Sequence, residues 1–303
     1  MKRKVNRVGR NTLTVSFPSK WAKKQNLKTG DEVGVKEEGD KLIISKESYF
    51  PIKKSVEIDV SGQDCMLHRI IAAIYKSGYD EVYIHYSSSN ELKIIQERLE
   101  RNLSEFDIVE YKHNLAIVKS ISKLDSKQFD IIFKKIFYSI NEIAKDIVKS
   151  LSSQDYDELN NIILRDKSID KYTDFCRRLI NKGFEIKFNR IPAIYYIIEQ
   201  IEIIGDIYKD LCQHASSKKL KPDRLIIDLL KDVNHFLCFF IDILFKFDLN
   251  KIKKFGIEQK QIATNIESVY ASINKRDLKL FFLINNIFHA TFEMKSALMV
   301  EFI

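Results

Sequence analysis

Two pairs of carboxylates repeat one spacing. Asp166 and Asp170, and again Glu202 and Asp206, stand four residues apart. On an α-helix four residues make one turn plus about 40°, so both members of a pair face the same side, roughly 6 Å apart. Two such helices side by side assemble four carboxylates, a donor set for a hard or borderline cation. The spacing by itself is a weak signal, because a DxxxD in a charged helix is ordinarily solvated. The second pair says more. Glu202 and Asp206 lie among Ile197, Ile198, Ile201, Ile203, Ile204 and Ile207, and carboxylates on so apolar a helix need a partner or a metal. Gly205 lets another helix come close at that point. Asp174, one turn beyond Asp170, is a further candidate ligand, the alternative being a solvent-facing charge.

A second chemistry sits at the other end of the chain. Lys2 to Lys28 carries Lys2, Arg3, Lys4, Arg7, Arg10, Lys20, Lys23, Lys24 and Lys28, and no Asp or Glu. The whole chain has a net charge of +8, so the remainder is close to neutral and the positive charge is concentrated. A concentrated cationic face is the footprint of a polyanion binder. Lysine and arginine release condensed counterions from phosphates, and arginine can also read a base edge with two hydrogen bonds. The alternative, a solvated basic tail, fits less well because the cations alternate with a strand pattern of Val5, Val8, Leu13, Val15 and Phe17.

The elements that must position these residues follow from the pattern. Residues 1–47 read as a small all-β unit. Two short strands meet at Gly9-Arg10-Asn11, a short helix starts near Pro18, Gly30-Asp31 makes a turn, and strands around Val33–Val35 and Leu42–Ile44 join across Glu38-Gly39-Asp40. So few residues bury too little surface to stand alone, so dimerisation is expected, with Phe17 and Trp21 in the dimer core. Residues 48–55, with Pro51, read as a linker. Residues 53–122 read as a βαβαββ subdomain of the α+β class, its first helix running from Gln63 to Lys76, its second capped by Ser89 or Asn90, and its last two strands joined across Lys112-His113-Asn114. It contains no glycine-rich phosphate loop, and His68, His85 and His113 have no metal-ligand spacing. It is either a regulatory or dimerisation module, or a spacer packed on the helices.

Residues 124–303 are helical. Segments over 126–151, 154–182, 192–216, 223–247, 250–272 and 275–303 carry apolar stripes such as Ile136, Ile140, Ile143 and Ile147. Six helices group naturally as two three-helix bundles, over about 124–218 and 222–303, with weak similarity between the halves. The most apolar window, Phe236 to Phe247, is short and contains Asp242, so it reads as a core helix and no membrane insertion is expected. The N-terminus has no apolar signal region, and the four cysteines (Cys65, Cys176, Cys212, Cys238) form no CxxC. Both point to a cytoplasmic protein with reduced thiols.

Two resemblances sharpen this. The run from Gly9 to Val35 is similar to the AbrB/SpoVT/MazE swapped-hairpin DNA-binding family. The matching features are Gly9-Arg10 with Thr12, the Leu13/Val15 strand, Pro18, the basic helix, Leu27-Lys28, and Gly30-Asp31 before Val33. That resemblance implies an intertwined homodimer in which Arg3, Arg7, Arg10, Lys20, Lys23 and Lys24 contact DNA. The runs around Asp166–Asp170 and Glu202–Asp206 resemble the PhoU family, whose paired three-helix bundles hold iron- or zinc-type clusters in E/DxxxD motifs. It implies Asp166, Asp170, Glu202 and Asp206 as metal ligands. The second half departs from the pattern: Gln259 and Ala263, with Glu258 adjacent, and Asn285 and His289 replace its carboxylates.

Joined, these parts resemble the archaeal PhoU-type phosphate uptake regulators with an N-terminal AbrB/SpoVT domain. The implied function is a DNA-binding transcriptional regulator of phosphate uptake, its helical domain sensing metal or docking a partner. The alternative is an accessory protein that docks on phosphate ABC transporter subunits without binding DNA. No enzyme is expected: di-iron bundle enzymes use Glu-x-x-His motifs, no helix here has one, and no nucleophile–His–acid set stands out.

Overall fold

In the computed structural model the described residues are 2–38, 41–45, 54–103, 105–122 and 124–303. The chain divides into two compact units, residues 1–52 and 53–303. It is a small N-terminal strand region followed by a mostly helical chain.

In the first unit β1 (Val5–Val8) and β2 (Thr12–Val15) form an antiparallel hairpin with Val5 opposite Val15 and Arg7 opposite Leu13. Gly9 takes the connection at φ 72°, a left-handed conformation that a side chain would oppose. Strand alternation places Val5, Arg7, Leu13 and Val15 on one face, and Asn6, Val8, Thr12 and Thr14 on the other. Helix α1 (Ser19–Lys24) follows Pro18, and Trp21 packs against Phe17 with ring centroids 5.4 Å apart. A second antiparallel pair, β3 (Gly34–Glu38) and β4 (Lys41–Ser45), sets Val35 opposite Ile44. The expected turn residues Gly39 and Asp40, and residues 48–53 of the linker expected over 48–55, lie outside the described residues, while Ser55 already belongs to a strand.

The second unit starts with a four-stranded sheet ordered β5-β6-β8-β7. Strands β5 (Ser55–Asp59) and β6 (Glu81–His85) are parallel, joined through α2 (Leu67–Lys76). Helix α3 (Ser89–Asn102) leads to the hairpin of β7 (Phe106–Lys112) and β8 (Leu115–Ser120), which turns at Asn114 with φ 55°. One face is covered by α2 and α3 around Leu67, Ile71, Tyr75, Val82, Ile84, Ile95, Leu99, Phe106 and Val118. The cap of α3 differs from expectation. It is Ser88, not Ser89 or Asn90, and it forms a capping box with Glu91. The Glu91 carboxylate also accepts from the backbone N–H of Ser87 and Gly62, so it is buried yet held below the usual carboxylate range by those donors.

Six long helices follow: α4 (Lys127–Ser153), α5 (Tyr156–Asn181), α6 (Ile191–Ser217), α7 (Arg224–Phe245), α8 (Leu249–Ser272) and α9 (Leu278–Phe302). Three begin at aspartate caps, Asp155, Asp223 and Asp248, whose side chains accept from the first-turn N–H groups. Pro192 opens α6, and Gln154, left-handed at φ 59°, ends α4. Helix α5 packs between α4 and α6, α7 packs on α8 and α9, and the α6–α9 and α4–α7 contacts unite all six around one apolar core. The stripe Ile136, Ile140, Ile143 and Ile147 is buried in it. Among the described residues, no helix is long and apolar enough to cross a membrane.

Candidate functional site

Helices α5 and α6 bring three of the four expected carboxylates together. Asp166, Asp170 and Asp206 each place a carboxylate oxygen within 4.8 Å of the others. The approach depends on Gly205: a Cβ there would stand 3.3 Å from Asp166 Oδ1 and 3.3 Å from Ile169 Cγ2. Asp166 is 5 % exposed, and its Oδ1 is buried without a hydrogen-bond partner. Its other oxygen accepts from Lys209 Nζ at 2.8 Å, and the same ammonium pairs with Asp206.

The electrostatics are those of crowded, half-dry anions. Burial pushes the Asp170 carboxyl up to about 7, and the charges of Asp166, Glu202 and Asp206 add to it. Burial likewise raises Asp166, against the hydrogen bond from Lys209. Burial works against the charge on Lys209, but its bonds to Asp166 and Asp206 outweigh that and hold the ammonium above its usual range.

Glu202 is engaged elsewhere. It accepts from Thr173 Oγ1 at 3.1 Å and from the Nη2 of Arg177. Arg177 is wholly buried and also binds Asp174 at 2.8 Å and Glu199. The sequence spacing groups Glu202 with the aspartates, but this buried guanidinium turns its carboxylate away. Asp174 is no solvent-facing charge either. It is 2 % exposed and also pairs with Arg98 and Lys76 of the sheet subdomain. Burial raises Glu202 and Asp174, with Arg177 the main opposing charge on each.

The donor set suits a cation. Three carboxylates from two helices offer oxygen ligands, and Asp166 Oδ1 is the kind of orphaned buried acceptor a cation would satisfy. The corresponding positions of the second half do not assemble such a group. Ala263 packs on the core, while Glu258 reaches His235 Nδ1 at 2.8 Å.

The six expected DNA contacts belong to the first unit. Arg7 is on β1, Arg10 in the hairpin turn, Lys20, Lys23 and Lys24 on α1, and Arg3 just before β1; all six are exposed. The same unit leaves Val5 64 %, Leu13 67 % and Leu42 67 % exposed, with Val8, Val15 and Val35 nearly as open.

Residues 7–52 match the family model described as antidote-toxin recognition MazE, bacterial antitoxin. No curated protein matches the chain, and no solved structure does. The matched segment contains the exposed hairpin from Arg7 onward, α1 and all the apolar residues just named but Val5, and it supports an N-terminal unit of the MazE and AbrB swapped-hairpin type. Arg7, Arg10, Lys20, Lys23 and Lys24 lie inside it; Arg3 precedes it.

The buried arginine pair of α5 escaped the sequence reading. Arg177 and Arg178 sit in a charged stretch that reads as a solvated face, and their partners Tyr75, Asp80, Glu199 and Glu202 are distant in sequence. Only the adjacency of two arginines so close to Cys176 and Leu179 on an amphipathic helix hinted that they faced inward.

Proposed function

We propose that this chain is a homodimeric, cytoplasmic DNA-binding regulator whose helical unit responds to a bound cation. The observation that carries it is the coincidence of the MazE-type match with a cationic surface that contains no acidic residue over Lys2 to Lys28. A unit whose apolar side chains are mostly exposed in one chain needs a second copy to cover them, and the exposed face of Val5, Leu13 and Val15 is where that copy would sit. Two hairpins and two copies of α1 would then present a doubled set of Arg3, Arg10, Lys20, Lys23 and Lys24 to the phosphates of a duplex, whereas Arg7 shares the covered face with Val5, Leu13 and Val15.

In this reading Asp166, Asp170 and Asp206 hold an iron- or zinc-type divalent cation, with Glu202 held back by Arg177. The role in phosphate uptake rests on the resemblance of the helical region to PhoU proteins. The run of six long helices and the carboxylate cluster between α5 and α6 support it. The chain has no catalytic role in this account.

Footprinting of the region upstream of the chain's own coding sequence tests the proposal. Protection of a two-fold site by the full chain, altered by addition of Mn²⁺ or phosphate, is the expected result. Uniform cleavage at all protein concentrations would contradict it.

A further inference from the structure

Lys209 stands where a ligand would be reached last. It lies on α6 three residues beyond Asp206, and it bridges Asp206 of its own helix to Asp166 of α5. Its ammonium therefore pairs with two of the three carboxylates that could hold a cation, balancing one of their charges. Asp166 keeps one oxygen free of partners in the same place. The Lys209 side chain is 31 % exposed and that of Asp206 54 %, so the outer side of the cluster is open and the ammonium can swing out without unpacking the core. Glu202, the fourth carboxylate of the motif, is bound to the buried Arg177 and does not compete for Lys209.

We infer that Lys209 is a built-in counter-ion that a divalent cation must displace from Asp166 and Asp206, and that it sets the cation concentration at which the cluster fills. The inference rests on reading the cluster as a metal centre. A tethered ammonium competes with free cation for the same oxygens, and the apparent affinity falls by the fraction of molecules in which the site is open. If the ammonium holds the carboxylates in about nine molecules of ten, it weakens binding about tenfold. The arrangement suits a sensor, because the site stays empty at trace metal and the protein keeps its charges paired meanwhile.

The test is calorimetric titration of the full chain with Mn²⁺ and, separately, Zn²⁺. It compares the wild type with Lys209→Met, Lys209→Arg and Asp166→Asn, with each variant's melting curve confirming that it is folded. Lys209→Gln replaces Lys209→Met if the latter does not fold. Removal of the ammonium is expected to tighten Mn²⁺ binding about tenfold or more, or to reveal binding absent from the wild type, while Lys209→Arg stays near wild type. Asp166→Asn is expected to abolish binding. Equal affinity in wild type and Lys209→Met, with binding still lost in Asp166→Asn, would leave the metal centre standing and overturn the role of Lys209. Absence of binding in both wild type and Lys209→Met would remove the metal centre itself, and the inference with it.

Discussion

Arg178 of α5 lays its guanidinium 4.7 Å from the ring centroid of Tyr75 on α2 and donates from Nη1 to the Tyr75 carbonyl at 2.9 Å. It is wholly buried, lies equally close to the Phe106 ring, and faces Asp80 at 3.7 Å. Lys182 and Asn181 extend the same junction, to Asp80 and to the Lys76 carbonyl. The sheet subdomain is thus fastened to the helix that carries Asp166 and Asp170.

Arg178→Ala should destabilise this junction by about 3 kcal/mol or more, because it leaves Asp80 short of a partner and opens a gap between two aromatic rings. Arg178→Lys should also lose stability, since an ammonium cannot stack on both rings and reach the carbonyl. Denaturant unfolding of the full chain measures both.

The close approach at Gly205 makes a graded prediction. Gly205→Ala adds helix propensity worth about 1 kcal/mol but presses on Asp166 and Ile169, so its net effect on stability should be small. Gly205→Leu cannot be accommodated and should cost about 2 kcal/mol or more. Thermal melts of the two variants, read beside cation titrations, separate packing from ligand geometry.

The pH dependence of the cation-free protein follows from Asp170. Its carboxyl titrates near 7 in the fold against an ordinary value of 3.8. Between those values the folded state holds a proton that the unfolded state has lost, so stability falls as pH rises through that window and levels off above about 7. Asp170→Asn has no such proton, so its melting temperature should gain on the wild type as pH increases from about 4 to 7. A constant difference between the two across that range would contradict the burial argument.

Much of this architecture was legible in the chain. The six helices lie within a few residues of where their apolar spacing puts them, because a bundle-facing stripe such as Ile136 to Ile147 has one solution. The hairpin across His113 and Asn114 and the turn at Gly9 follow from turn chemistry. The carboxylate spacing told which residues share a face, but not which cation each would meet. Glu202 faces α5 as expected, yet Arg177, brought in from α5 itself, claims it. Lys209 was readable as a neighbour of Asp206 at i+3, but its reach to Asp166 depends on how closely α5 and α6 pack. Asp174, Arg177 and Arg178 are buried charges satisfied across tertiary contacts, and no local pattern encodes those.

If the exposed face of Val5, Leu13 and Val15 is covered by a second copy, Leu13→Asp should convert a dimer to a monomer. Sedimentation velocity over a concentration series reads this directly, and an unchanged dimer would place the interface elsewhere.

The central claim is that the cationic first unit reads DNA, and the salt dependence of binding tests it most directly. Fluorescence anisotropy of a duplex from the chain's own upstream region, titrated with the full chain between about 50 and 200 mM salt, should show a steep log–log slope, near −0.9 for each phosphate neutralised. The double variant Arg10→Ala/Lys23→Ala should weaken binding and lower the magnitude of the slope by about four, two contacts from each protomer of the dimer. A flat salt dependence, or a slope unchanged when both cations are removed, would contradict the account.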